Sequence, residues 1–183
     1  FGAISALQDQ KNVSIHPGGK TALEIKGYAH YLSQKHTNIQ LYGNISESLP
    51  KWFTDQDWKV TVSYIQTKLF GDDTKKYLSD SEMQYVKIKV SIPEMASMEM
   101  LHLVPKGQSF DEAMKIMEGL TTLRPKMVQE LLEKCNSVKV KRLFLYMAEK
   151  SQHSWLKELE LNKINLGSGK SFASYSQRRC ICS

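Results

Sequence analysis

The stretch from Ser137 to Lys170, SVKVKRLFLYMAEKSQHSWLKELELNKINLGSGK, constrains the fold of this chain most. Val140, Leu143, Phe144 and Met147 recur at helical spacing and give its first half one apolar face. Lys139, Lys141, Arg142 and Lys150 occupy the flanks and the outside. Leu145 falls off the inner face, so this helix calls for cover on two sides. Asn136 and Ser137 cap its start. His153 and Trp155 sit in the turn that follows, Trp155 as a packing anchor. Leu156, Leu159, Leu161, Ile164 and Leu166 carry an apolar series into Gly167-Ser168-Gly169-Lys170.

The segments before it supply more helices. Pro105-Lys106-Gly107 is the best internal boundary. Ser109 and Glu112 have capping-box spacing, and Ala113, Met114, Met117 and Leu120 face the core from the helix they open. Pro125 begins another helix, with Met127, Val128, Leu131, Leu132 and Cys135 on one stripe. Glu130 and Lys134 form an exposed pair on it. Ser91 and Glu94 also have capping-box spacing, ahead of a helix with Met95, Met98 and Leu101 inward.

The first half changes period. Phe1 to Gln10 and Lys20 to Lys26 read as short helices, and Leu49 to Phe53 as another. Val13 to His16, Asn38 to Tyr42, Trp58 to Thr67 and Gln84 to Ile92 read as strands. In the third, Val60, Val62 and Tyr64 share one face, and in the last Val86, Ile88 and Val90 do. The fold class is therefore α+β: a small mixed sheet with short helices, then a helical region packed against it. The expected division is a mixed subregion, residues 1–104, a helical subregion, residues 105–170, and a frayed tail, residues 171–183.

Chemistry narrows the function less than the fold. The first residues lack the basic and apolar regions of a signal peptide, and no apolar run is long enough to span a membrane. The chain starts at Phe1, not Met, and reads as a piece of a longer protein. It has 25 Lys and Arg against 19 Asp and Glu, a net +6 that permits nucleic-acid contact without demanding it. Cys135, Cys180 and Cys182 make neither a disulfide framework nor a metal site, which points to a reducing, cytoplasmic setting. Gly18-Gly19-Lys20-Thr21 resembles part of a phosphate loop, but Ser14 stands where the pattern needs its first Gly. No hydrolase or zinc-protease motif is present. Neither metal nor cofactor is implied.

Several stretches in order resemble one family. They are Pro17-Gly18-Gly19-Lys20-Thr21-Ala22-Leu23-Glu24, Gly27-Tyr28-Ala29-His30-Tyr31-Leu32, Leu49-Pro50-Lys51-Trp52-Phe53 and the whole of Ser137 to Lys170. Val138 to Leu145 and Leu166 to Lys170 are the most specific. Together they resemble the AbiEi antitoxins and transcriptional regulators of type IV bacterial toxin–antitoxin systems. The resemblance implies a non-enzymatic antitoxin that represses its own operon and serves phage defence by abortive infection. Its partners would be the operon's promoter DNA and a nucleotidyltransferase-like toxin, countered without a stable complex. Family members usually begin with a winged helix-turn-helix. On this reading the chain starts after that module and is the C-terminal antitoxin domain. The end, SFASYSQRRCICS, departs from the basic loop and final strand that the family pattern leads one to expect.

Lys139, Lys141, Arg142, Lys150 and Lys170 are the expected phosphate contacts. The alternative is a nucleotide-dependent enzyme acting on the toxin or its substrate, with an anion held by Gly18, Gly19, Lys20 and Thr21.

Overall fold

The computed structural model describes residues 1–10, 13–29, 38–71, 74–83 and 85–167. In chain order these form helix α1 (Gly2–Gln8), strand β1 (His16–Pro17), helix α2 (Gly19–Ile25), strand β2 (Asn38–Gly43) and helix α3 (Lys51–Thr54). Strands β3 (Thr61–Gln66), β4 (Leu78–Met83) and β5 (Val86–Ser91) follow. Helices α4 (Pro93–His102), α5 (Phe110–Glu118), α6 (Pro125–Lys134) and α7 (Val138–Lys150) complete the set. Two 3-10 turns, Ser154–Glu158 and Leu161–Lys163, then run back over the helices. This is the expected α+β arrangement, with the strands early and the long helices late.

β2 lies between β1 and β3 in a three-stranded sheet. β1 pairs antiparallel, His16 opposite Tyr42, while β3 pairs parallel, Asn38 opposite Thr61. The parallel pair needs a crossover, and the segment carrying α3 supplies it. β4 and β5 form a separate antiparallel hairpin in which Met83 faces Val86.

Helix α4 is the centre of the molecule. Every residue from Glu94 to Leu101 is buried. Met95, Ala96, Met98, Met100 and Leu101 place small or adaptable apolar groups all round the helix, and α2, α5, α6, α7 and β5 pack against it. Two carboxylates share this interior, so each needs a partner. Glu94 is buried against exposed Arg124. Its Oε1 accepts from Arg124 N at 3.0 Å and Nε at 2.9 Å, and its Oε2 accepts from Nη2 at 3.0 Å. Burial alone would raise the Glu94 pKa, but the Arg124 contacts outweigh it and hold the carboxyl below its ordinary value.

Several local expectations change. The Ser91–Glu94 capping box does not form, because Ile92 is the N-cap and Ser91 Oγ donates to Glu99 instead. β3 has no fully buried face: Val62 to Ile65 are all half-buried, as an edge strand allows. The first expected strand, Val13 to His16, is replaced by a two-residue strand at His16–Pro17 that shares only His16 with it. β4, LSDSEM, lacks an apolar alternation that would announce it and forms because β5 pairs with it. Ser109 does cap α5, accepting from Glu112 N at 3.2 Å, but the Glu112 carboxylate goes to Lys20 and Gln108. On α7, Leu145 is buried and Leu143 half-buried, so Leu145 belongs to the core.

Candidate nucleic-acid interface

α7 starts where Ser137 Oγ accepts from Val140 N at 3.3 Å. On a wheel of 3.6 residues per turn, Val140, Phe144, Met147, Ala148, Leu145 and Lys141 fall on one side, and all six are buried. Lys139, Arg142, Tyr146, Glu149 and Lys150 fall within about 100° of arc on the other side. Four of these are exposed and Glu149 is half-buried.

The four described cations of this helix have different surroundings. Lys139 Nζ donates to His102 O and Val104 O, each at 2.8 Å. It thereby covers carbonyls at the C-terminal end of α4, where a cation also suits the helix dipole. Lys141 is only 4% exposed, and its ammonium donates to Asn165 O at 3.0 Å. The expected outward cation is thus an inward one, because its position on the wheel lies between Ala148 and Leu145. Arg142 Nε donates to Leu166 O at 2.9 Å, while the rest of its guanidinium has no partner among the described residues. Lys150 Nζ lies 5.8 Å from the centre of the Tyr146 ring. Lys170 lies outside the described residues.

The Gly18–Thr21 segment is brought together, but its groups already have partners. Gly19 N donates to Glu99 Oε2 at 2.9 Å, and Lys20 N donates to Gln40 Oε1 at 3.0 Å. Lys20 Nζ donates to Glu112 Oε1 at 2.7 Å, and Thr21 Oγ1 accepts from Gln40 N at 2.9 Å. A Cβ at Gly18 would come within 2.4 Å of Glu99 Oε2. The anion at this helix start is therefore the protein's own carboxylate. A phosphate here would have to displace the Glu99 side chain and sit beside the Glu112 carboxylate, whose pKa burial raises but the Lys20 and Gln108 hydrogen bonds lower further.

Sequence reasoning missed the Glu99 cluster. Glu99 is 1% exposed. Its Oε1 accepts from His16 Nε2 at 3.1 Å, and its Oε2 accepts from Gly19 N and, at 2.8 Å, from Ser91 Oγ. His16 Nδ1 donates to Ser14 O at 2.6 Å. Both ring nitrogens face oxygen atoms, an arrangement that favours the doubly protonated ring. Burial pushes the His16 pKa down, but the Glu99 hydrogen bond and charge, with the Ser14 carbonyl, raise it above 6.5. Tyr42 OH donates to Glu99 O at 3.0 Å, and burial drives its pKa well up. The adjoining cavity, about 20 Å³, has room for one water. The signal was present: Glu99 stands four residues after Met95, within the apolar run of α4, where a carboxylate demands a partner. The cluster ties β1, α2, β5 and α4 together, and its serine hydroxyl, Ser91 Oγ, is buried and held by Glu99. Among the described residues no group of three His, Cys, Asp or Glu is placed to hold a metal ion. No helix among them is long and apolar enough to cross a membrane. Cys180 and Cys182 lie outside the described residues, and burial raises the Cys135 pKa, as for an inert core thiol.

Comparison with known proteins adds a family. Residues 36–178 match the model described as "Transcriptional regulator, AbiEi antitoxin, Type IV TA system". Residues 1–34 match the model described as "Transcriptional regulator, AbiEi antitoxin N-terminal domain". The expectation of a chain without an N-terminal module is not confirmed, since that second match occupies its first residues. No curated protein matches. Among solved structures, that of the RV2827C protein from Mycobacterium tuberculosis is similar, with a TM-score of 0.55 at 13% identity. The match covers 85% of this chain and 56% of that one, and at this identity the likeness is one of fold alone.

Proposed function

The chain belongs to the AbiEi family of transcriptional regulators, antitoxins of type IV toxin–antitoxin systems, and we propose that it represses its own operon by setting the outer face of α7 against promoter DNA. The observation that carries this reading is the charge split on α7. The helix holds four cations against one carboxylate, and Lys139, Arg142 and Lys150 share its outward arc. Arg142 and Lys150 stand eight residues apart, roughly 12 Å along the axis at 1.5 Å per residue, a span that reaches neighbouring phosphates of a backbone. Cations so placed bind DNA by releasing counterions and position the protein without reading bases. The functional partner is a nucleotidyltransferase-like toxin whose effect is countered without a stable complex, in the cytoplasm. The role is regulatory, with no catalytic residue assigned. The occupied Gly18–Thr21 segment favours no nucleotide chemistry.

A promoter–reporter fusion in cells tests the repression. With wild-type protein the reporter is low. Combined Arg142→Glu and Lys150→Glu substitution, at unchanged protein level, raises it at least fivefold. An equally low reporter with the charge-reversed protein removes α7 from the repressing surface.

A further inference from the structure

We propose that the outer face of α7, together with Phe110 at the start of α5, binds single-stranded nucleic acid through its unpaired bases. The inference deepens the phosphate reading above and rests on it for Arg142 and Lys150.

Two large rings lie side by side where solvent reaches them. Phe110 is 41% exposed and Tyr146 42%, with ring centres 6.4 Å apart at 47°. A single exposed aromatic needs no explanation, but a pair flanked by cations is a different feature. Tyr146 lies one turn after Arg142 and one turn before Lys150, so the order along the helix is cation, ring, cation. Lys150 already sits near the ring of Tyr146, 5.8 Å from its centre. Glu149 is the one carboxylate of α7, against Lys139, Arg142 and Lys150 on this face. Asp111 stands beside Phe110 at the start of α5.

Duplex DNA has no use for such rings at its backbone, because its bases are already stacked on one another. Unpaired bases do. Stacking on an aromatic face is sequence-tolerant, and neighbouring cations hold the phosphates that link the bases. A guanidinium whose remaining N–H groups have no partner among the described residues, as in Arg142, serves both purposes. The arrangement therefore fits a short run of unpaired nucleotides crossing α7 from Arg142 to Lys150, with bases against Tyr146 and Phe110. Both rings are at the surface, so their removal leaves the core intact.

The test is fluorescence anisotropy of the whole protein with labelled twelve-nucleotide dT and U strands and, separately, a duplex of its promoter. The wild type binds the single strands. The double variant Phe110→Ala/Tyr146→Ala loses at least tenfold in single-strand affinity, keeps its salt dependence, and changes duplex affinity less than twofold. Tyr146→Phe keeps single-strand binding. Comparing dT with U assigns the source as DNA or RNA. Single-strand affinity unchanged in the double variant overturns the proposal, and so does an equal loss on strand and duplex. Absence of single-strand binding, with a changed oligomeric state in the double variant, makes the face a protein contact and also overturns it. Duplex binding without strand binding defeats this inference alone, whereas strand binding without duplex binding defeats the promoter reading alone.

Discussion

Glu99 receives three donors, His16 Nε2, Gly19 N and Ser91 Oγ, in a site with almost no solvent exposure. An amide has one acceptor oxygen in place of two, so Glu99→Gln cannot satisfy all three and also loses the carboxylate that faces His16. Removing one partner of a buried ion pair costs about 3 kcal/mol. We expect Glu99→Gln to lower unfolding free energy by that order, measured by urea titration. The pH dependence follows from the raised His16 pKa. A group whose folded pKa lies above its unfolded value of 6.5 gives its full stabilisation below that value and loses it as pH rises through the folded pKa. The wild type therefore loses stability on this account as pH rises above 6.5, and Glu99→Gln flattens that decline. A decline of equal size in the variant would show that the pair does not control it.

At the scale of elements, α7 carries two roles on two faces, and Lys141 separates them. Its ammonium bonds Asn165 O from inside the fold, so it acts on stability. Lys141→Met keeps the length of the side chain and removes the charged hydrogen bond to the part-buried Asn165 carbonyl, which costs about 2 kcal/mol. We expect thermal unfolding to show that loss, while promoter affinity at a temperature well below unfolding stays within twofold. A large affinity loss in a folded variant would return Lys141 to the interface. The helix and its Ser137 cap were legible from spacing alone. So was the helical wheel, which places Lys141 among buried residues; counting only Val140, Leu143, Phe144 and Met147 as inward hid it. Its partner lies 24 residues further on, and no local pattern announces such a contact. β4 was illegible because LSDSEM has no apolar period, and Ser91 misled because Glu99 competes successfully for its hydroxyl. The outward cations Lys139, Arg142 and Lys150 were legible as residues, while the ring pair of Phe110 and Tyr146 required the packing of α5 on α7.

Across the whole molecule, the strands and short helices of the first half and the helices of the second share one apolar cluster, with α4 at its centre. Burying that helix on all sides fixes α7 by its inner arc and leaves its outer arc to solvent. The polar groups of Gly19 and Lys20 are drawn inward to Glu99, Gln40 and Glu112, whereas the basic face of α7 presents its cations to solvent. The salt dependence of promoter binding measures that claim most directly. Each phosphate neutralised on duplex DNA contributes about 0.9 to the slope of log K against log salt concentration. For Arg142→Gln/Lys150→Gln, titrated by anisotropy between 50 and 200 mM salt on the order of those used for such slopes, the slope falls by about 2 relative to wild type. An unchanged slope in a folded double variant would contradict the account.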